Sequence, residues 1–557
     1  MQQRRKASFI TLVVSAAVLV SLLTTGTVFV WAHGTSASHT ASTGASLSSI
    51  LSKATAFKPL HPAAYAQAKA LANARAGQNQ AAPAAPASHA PAAFASFQGQ
   101  DMLNPLVKIT PSDSTGAIGT TRYVELVNQK FGIYNRSGNL LSGDTLNTLA
   151  NRPSTDFLFD VQVQWDPVTN RFYYVMDDIV NGNDFEITFG FSKTDSPNSA
   201  ADWCSGYIKS FGYGTTGGFP DYPKLGVDKN FLLIGVNHFD QTITNYLGSD
   251  VLWISKPAAG AITTCPLGST FLSGKQKALT NADSSLMSTP VPATETDPAP
   301  GLVVGAQDIS TTPTGTYITL YQVSKNKANG TALFSGPKTV TLPGYYNYTM
   351  PPSAPQAGSS FKIDTLDGRL TQAISDRDPR TQRYGIWTQH TVAGPHGGKS
   401  QVNWMDIDTG ITTPSVYEGG IVKDPSLYVF NGAVTTDRLY SVNPTTGAIT
   451  KAFGKSLALG LTTSSATTDP AIQMVSKIGN SPTSPFTLIK QSPGPDVDFS
   501  CSVTTPCRWG DYSAATPDPA ASTTSFSGQI WFTNMWNQAG TDSTSIDWST
   551  WNWGASL

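Results

Sequence analysis

The sequence predicts an all-β protein, a β-propeller of about seven blades, preceded by an N-terminal transmembrane helix and a disordered spacer. Three observations predict it. From about Asp101 onward, short runs rich in Val, Ile, Tyr, Phe, Trp and Thr alternate with Gly, Pro, Asn and Asp, the texture of half-buried strands joined by turns. Examples are VQVQWD followed by RFYYVMDD, and LGVD followed by FLLIGVN. Several pairs share one pattern, an apolar strand, a turn opening with Asp, then a second apolar strand, at 159–176, 221–237, 369–392 and 509–536. Asp suits that position because its side chain bonds the backbone two residues on. The first two copies lie about 60 residues apart, and a repeat of about 50–60 residues over the body gives roughly seven four-stranded blades.

The elements follow in chain order. Arg4-Arg5-Lys6 precedes an uncharged, mostly apolar stretch over residues 9–32. At about 1.5 Å per residue that stretch is long enough to cross a hydrocarbon core of about 30 Å. Its positive flank predicts a cytoplasmic stub and an extracellular C-terminal body. The alternative is a cleaved signal peptide, which exports the body equally. Residues 1–32 are therefore expected to be stub and anchor, 33–100 a Ser/Ala/Pro-rich spacer, and 101–557 the propeller. Within the spacer, AAYAQAKALANARA predicts a short helix over residues 63–76, because Ala, Leu, Lys and Arg are good helix formers.

Charge divides the chain in the same place. Of 557 residues, 36 are Lys or Arg and 37 are Asp or Glu, giving a formal net charge of -1. Seven of the basic residues and none of the acidic ones precede Asp101, so the first hundred residues carry +7 and the body -8. An acidic body is poorly suited to nucleic acid or anionic lipid. The expected partners are the membrane, through the N-terminal helix, and a glycan or envelope protein, with no nucleic acid.

The strings DPVTNRFYYV, DYPKLGVD, DGRLTQAISDRDPRTQRYGIWTQHTV and CRWGDYSAATPDP carry a family resemblance. Through its Trp-Gly-Asp-Tyr-Ser motif and its Trp-x-x-His-Thr-Val strand, the chain resembles exported, uncharacterised bacterial proteins with a sialidase-like β-propeller body. The resemblance covers roughly residues 150–540 and implies a fold without implying a reaction. The Ser-x-Asp-x-Gly-x-Thr-Trp box of true sialidases is absent from the sequence.

Candidate site residues come from the body. Arg508, Asp511 and Tyr512, around Trp509 and Gly510, form the densest polar-aromatic cluster, a set able to bind a carboxylate or a sugar or to lock a blade corner. Arg369 and His390 stand in the DGRLTQ–WTQHTV hairpin. His238, His390 and His396 have no spacing that brings three imidazoles onto one metal, so no metal site is expected. No cofactor is expected, although DDIVNGNDFE over 177–186 and the Asp pairs at 364–367 and 496–498 offer the oxygens that calcium prefers. An exported body with an even cysteine count predicts disulfides, with Cys501 to Cys507 and Cys204 to Cys265 as the leading pairing. The Trp548, Trp551 and Trp553 stretch is expected to close the propeller.

Glu is scarce in the body, with only Glu125, Glu186, Glu295 and Glu418, and no complete catalytic set is visible. The leading expectation is therefore a non-catalytic module binding a ligand, glycan or protein. The alternatives are a sialidase-type glycoside hydrolase and a structural or adhesion component of the envelope.

Overall fold

The structure is a computed structural model, and it describes residues 47–77, 90–102, 109–182, 184–209, 218–266, 272–538 and 548–557. The apolar stretch at 9–32 lies outside them. Among the described residues no helix is long and apolar enough to cross a membrane.

Seven sheets of four or five strands stand around one axis, antiparallel except where the short strand Thr294–Glu295 pairs parallel to Leu370–Arg377. The innermost strands are Thr115–Ile118, Phe157–Asp166, Phe219–Val227, Val291–Pro292, Leu370–Arg377, Tyr428–Thr436 and Ala514–Pro517, for blades 1 to 7 in order. Each contacts the next, and the last returns to the first, so the ring is closed. Blade 2 shows why the runs read as nearly continuous apolar sequence. In its strand Arg171–Val180, Phe172, Tyr174 and Met176 enter the core shared with blade 1. Tyr173 and Val175, on the other face, enter the core shared with blade 3. Successive side chains point to opposite faces, and here both faces are covered.

The expected Asp turns are present. Asp166, Asp228 and Asp378 end innermost strands or follow them directly and accept from backbone N–H groups two residues on, at 3.0, 2.5 and 2.7 Å. Asp518 does the same work in blade 7, whereas Asp437 in blade 6 accepts from the distant N–H groups of Gly454 and Ser456.

Blade 7 closes the ring by joining the two ends of the chain. Its strands are Ala514–Pro517, Gln529–Asn537 and Trp548–Ser556, and its fourth is Ala92–Asp101. Trp553 stacks on Phe532 with ring centroids 4.9 Å apart, Trp551 donates to Ser96 at 2.7 Å, and Trp548 donates to the Ile109 carbonyl at 3.0 Å. The tryptophan stretch is the third strand of the closing blade.

The spacer expected over 33–100 departs from expectation. Leu47–Ala54 and Pro62–Arg75 are helices, the second in register with the helix expected at 63–76, and Ala92–Asp101 is a propeller strand. The propeller therefore begins at residue 92 instead of 101. The described parts of the segment dock on the propeller through small apolar residues: Ala54 and Ala72 lie in cores built by the body.

Both expected disulfides form, Cys204–Cys265 and Cys501–Cys507. The first ties the outer strand of blade 2 to the connection between the third and fourth strands of blade 3. Its sequence separation is 61 residues against 6 for the second. In the loop-entropy account the long closure contributes about 4 kcal/mol and the short one about 2 kcal/mol. Cys204→Ser is accordingly expected to lower unfolding free energy by about twice as much as Cys501→Ser. Denaturant midpoints of the two variants check this, and equal losses would count against it.

Candidate functional site

The innermost strands of blades 2, 3 and 6 lose register near their first residues, between Phe159 and Gln162, Asp221 and Lys224, and Phe430 and Ala433. At these bulges Asp160, Tyr222 and Asn431 take φ of 49°, 60° and 48°. Asp and Asn tolerate the left-handed region through local hydrogen bonds, but a tyrosine there is strained. A bulge re-aims the side chains around it, and these stand together at one end of the axis.

Four blades contribute to the resulting cluster. Asp113, ahead of blade 1, accepts from the Asn128 side chain at 2.7 Å and from the Asp511 N–H at 3.0 Å. The Asp113 and Asp160 carboxyls are near enough for each to act on the other. Burial raises both acids, Asp160 well above the usual carboxylate range. Asp511 binds Arg508 at 2.6 Å, yet burial pushes it up to about 7. Asp177, from the second strand of blade 2, is 1% exposed, and neither of its oxygens has a hydrogen-bond partner. Burial, then Asp160 and Asp221, raise it strongly.

The aromatic half lies beside these acids. The Tyr222 and Tyr512 rings are 4.8 Å apart, and the Lys224 ammonium sits 3.6 and 3.7 Å from their centroids. Lys224 is 1% exposed and makes no hydrogen bond, so burial holds it well below the usual lysine range; the ring faces offset part of that cost. The Arg369 guanidinium is 5.0 Å from the Tyr222 ring and pairs with Asp367 through two contacts of 2.7 Å.

Of the residues singled out in the sequence, Arg508, Asp511, Tyr512 and Arg369 meet at this axial end. Trp509 is a core residue, donating to Thr462 and packing on Phe430. His390 stands behind the Arg369 turn, its Nδ1 2.8 Å from the Gly368 carbonyl, and burial pushes it down to about 4. His238 instead faces Asp250 at 3.3 Å in blade 3, so the histidines do not converge. The acidic loops offered for calcium are engaged otherwise: Arg152 takes Asp178 and Glu186, Lys69 takes Asp364, and Asp498 accepts from Thr110. Cys507 anchors the roof over the cluster through backbone bonds with Lys362 and Asp364.

Sequence reading missed Asp113, Asp160, Asp221, Tyr222 and Lys224, and offered Asp177 only as a calcium ligand. A signal was present for two of them. FDVQVQWD and DYPKLGVD both carry an Asp ahead of the repeated strand, which is where Asp160 and Asp221 lie. The glutamates are elsewhere: Glu125 accepts from Tyr134 and Thr550, Glu186 and Glu418 pair with arginines, and Glu295 lines a cleft at the opposite end of the axis. A sialidase-type set of three arginines and a Tyr–Glu pair is not assembled among the described residues.

No known family and no curated protein matches the sequence. Among solved structures, the parainfluenza virus 5 hemagglutinin-neuraminidase ectodomain aligns at 8% identity over 72% of this chain and 83% of its own, with a TM-score of 0.36. The phage phi92 endosialidase aligns at 9% identity over 81% and 68%, TM-score 0.34. An exo-β-1,3-galactanase from Clostridium thermocellum aligns at 10% identity over 68% and 83%, TM-score 0.28. By its own strand ladder this chain is a seven-bladed β-propeller closed by its N-terminal strand, with an acidic-aromatic cluster at one end of the axis.

Proposed function

We propose that the protein is an exported β-propeller that binds an external ligand at this axial end without catalysis. One observation carries the reading. Asp113, Asp160, Asp177, Asp221 and Asp511 converge there with two tyrosines packed at a tilt, and two of the ionisable groups, Asp177 and Lys224, are buried without hydrogen-bond partners. Buried charge of that kind is costly to the fold and concentrates where a ligand is received. The two disulfides support an oxidising, extracellular setting.

The neighbouring Asp113 and Asp160, two acids that burial raises, favour a second reading, glycoside hydrolysis, in which one carboxyl donates a proton and another acts as base. Against it, the weakened acidities belong to a cluster that is closed off from water; opened to solvent, these acids return toward ordinary values. The two readings part in a screen against fluorogenic glycosides. The expected result is no turnover above that of Asp160→Asn. Turnover that Asp160→Asn abolishes would establish the hydrolase.

A further inference from the structure

The segment that closes the axial end belongs to the chain itself. Residues 54–60, ATAFKPL, run between the two N-terminal helices and across the cluster. Lys58 is the deepest charged side chain they bring. Its ammonium lies 2.8 Å from Asp221 and 4.9 Å from the centre of the Phe219 ring, with 9% of the side chain exposed. Asp160 and Asp177 both feel its charge. It also donates to the carbonyls of Ala54 and Ala56, at 2.6 and 2.9 Å, which folds the segment into a turn around the ammonium.

The neighbouring positions are held as well. Arg508 donates to the Thr55 carbonyl at 3.1 Å. The Arg369 guanidinium lies 5.0 Å from the Phe57 ring, so that arginine stands between Phe57 and Tyr222. Leu60 packs on the core that holds Phe159, Phe219 and Trp509. The body therefore offers this stretch a side-chain donor for a backbone carbonyl, a cation for an aromatic ring, a carboxylate pocket for an ammonium and an apolar shelf, in that order. Asp177, Asp221, Arg369 and Arg508 come from four separate parts of the body, in or just ahead of blades 2, 3, 5 and 7.

We propose that the axial groove is a peptide-binding site, selective for an aromatic residue followed by lysine, and that residues 54–60 occupy it as the chain's own competing ligand. The inference rests on the axial-site reading above and narrows it to a ligand class. The incoming lysine takes the place of Lys58 against Asp221, Asp160 and Asp177. Asp177, whose oxygens hold no hydrogen-bond partner, is then a second acceptor for a ligand whose reach differs from that of Lys58. A free peptide must displace a segment tethered to the same chain, whose effective concentration is in the millimolar range. The native chain is thus held closed against weak ligands.

The test uses the full chain and a fluorescent peptide of residues 52–61, SKATAFKPLH. Lys58→Met removes the ammonium at similar length, and Lys58→Glu places a like charge beside three carboxylates. Both variants are expected to bind the peptide at least 10-fold more tightly than the native chain does, by fluorescence anisotropy. The same peptide with Gln in place of its second lysine is expected to lose that binding, as is Lys58→Met combined with Asp221→Asn. Thermal unfolding of each variant verifies that the propeller is intact. Equal peptide binding by native and variant chains, or binding that ignores the Lys-to-Gln change, would overturn the proposal. If a folded Lys58→Met chain binds a soluble oligosaccharide and not the peptide, the peptide class fails while the axial-site reading stands. If it binds neither, both fail.

Discussion

A chain beginning at residue 102 is expected to lose the cooperative fold, whereas one beginning at residue 90 keeps it. The difference is the strand Ala92–Asp101, which pairs with Trp548–Ser556 from Ala92 opposite Ser556 to Asp101 opposite Ser549. Without it, the backbone edge of Trp548–Ser556 stands open, and an open edge templates aggregation. Glu125, 0% exposed, also loses the Gln100 N–H at 3.0 Å and the strand that shields it. A buried carboxylate stripped of a donor costs several kcal/mol. The ring itself also loses its latch. Phe97 packs edge-on to Tyr123 at 6.1 Å and against Tyr134 at 5.0 Å, tying blade 7 to blade 1. The chain starting at 90 lacks only the helices and the segment across the axis, so its cooperative transition is expected to survive. Circular dichroism melts of the two truncations check this. A native-like melt from the chain starting at 102 would show that the ring closes without its N-terminal strand.

Acidification from pH 8 to pH 5 is expected to stabilise the protein. Burial raises Asp178, Asp406 and Asp511 to about 7 from an ordinary 3.8, each against the pull of an arginine partner. A carboxyl whose folded-state value is raised binds its proton more tightly in the folded chain. Its contribution is fully present below the unfolded value and is lost as pH rises through the folded value, here near 7. Each pH unit of that window corresponds to about 1.4 kcal/mol per group. Allowing for relaxation of the sites, about 2 kcal/mol each is a reasonable scale, and for a body of this size the melting temperature rises by about 5 °C. Asp511→Asn is expected to flatten part of the slope, because it removes one of the three groups. Below about pH 4 the trend reverses at Asp367, which Arg369 holds below its ordinary value despite burial. A melting temperature that is flat or falls between pH 8 and 5 would sink this account.

How much was legible in the sequence depends on the range over which the information acts. The Asp turns were legible because an Asx turn is closed within a few residues: Asp228 bonds the N–H groups of Asn230 and Phe231. The helix at Pro62–Arg75 was legible from alanine content, and the closing role of the tryptophan stretch from its aromatic density at the chain's end. The cysteine pairing was legible from the even cysteine count and the spacing. The spacer was misread because Ala and Pro content describes a free chain. It carries no sign that Ala54 and Ala72 would find a surface shaped to bury them. Arg508, Asp511 and Tyr512 stood out as a local cluster, yet nothing local says that Tyr222 donates to the Asp511 carbonyl from 289 residues away.

The sequence by itself determined an all-β body built of repeated hairpins, its approximate blade number, its two cross-links and its acidic character. Each of those is written in residue type and short-range spacing. Only the tertiary structure decided which residues meet. Closing seven blades on one axis brings the starts of the innermost strands together, so Asp113, Asp160, Tyr222 and Asp511 become neighbours although they belong to four blades. The left-handed bulges at Asp160 and Tyr222, which strand periodicity does not encode, set the side chains there. Lys58 meets Asp221 across 163 residues for the same reason: the axis is the one place a segment from outside the ring can reach several blades at once.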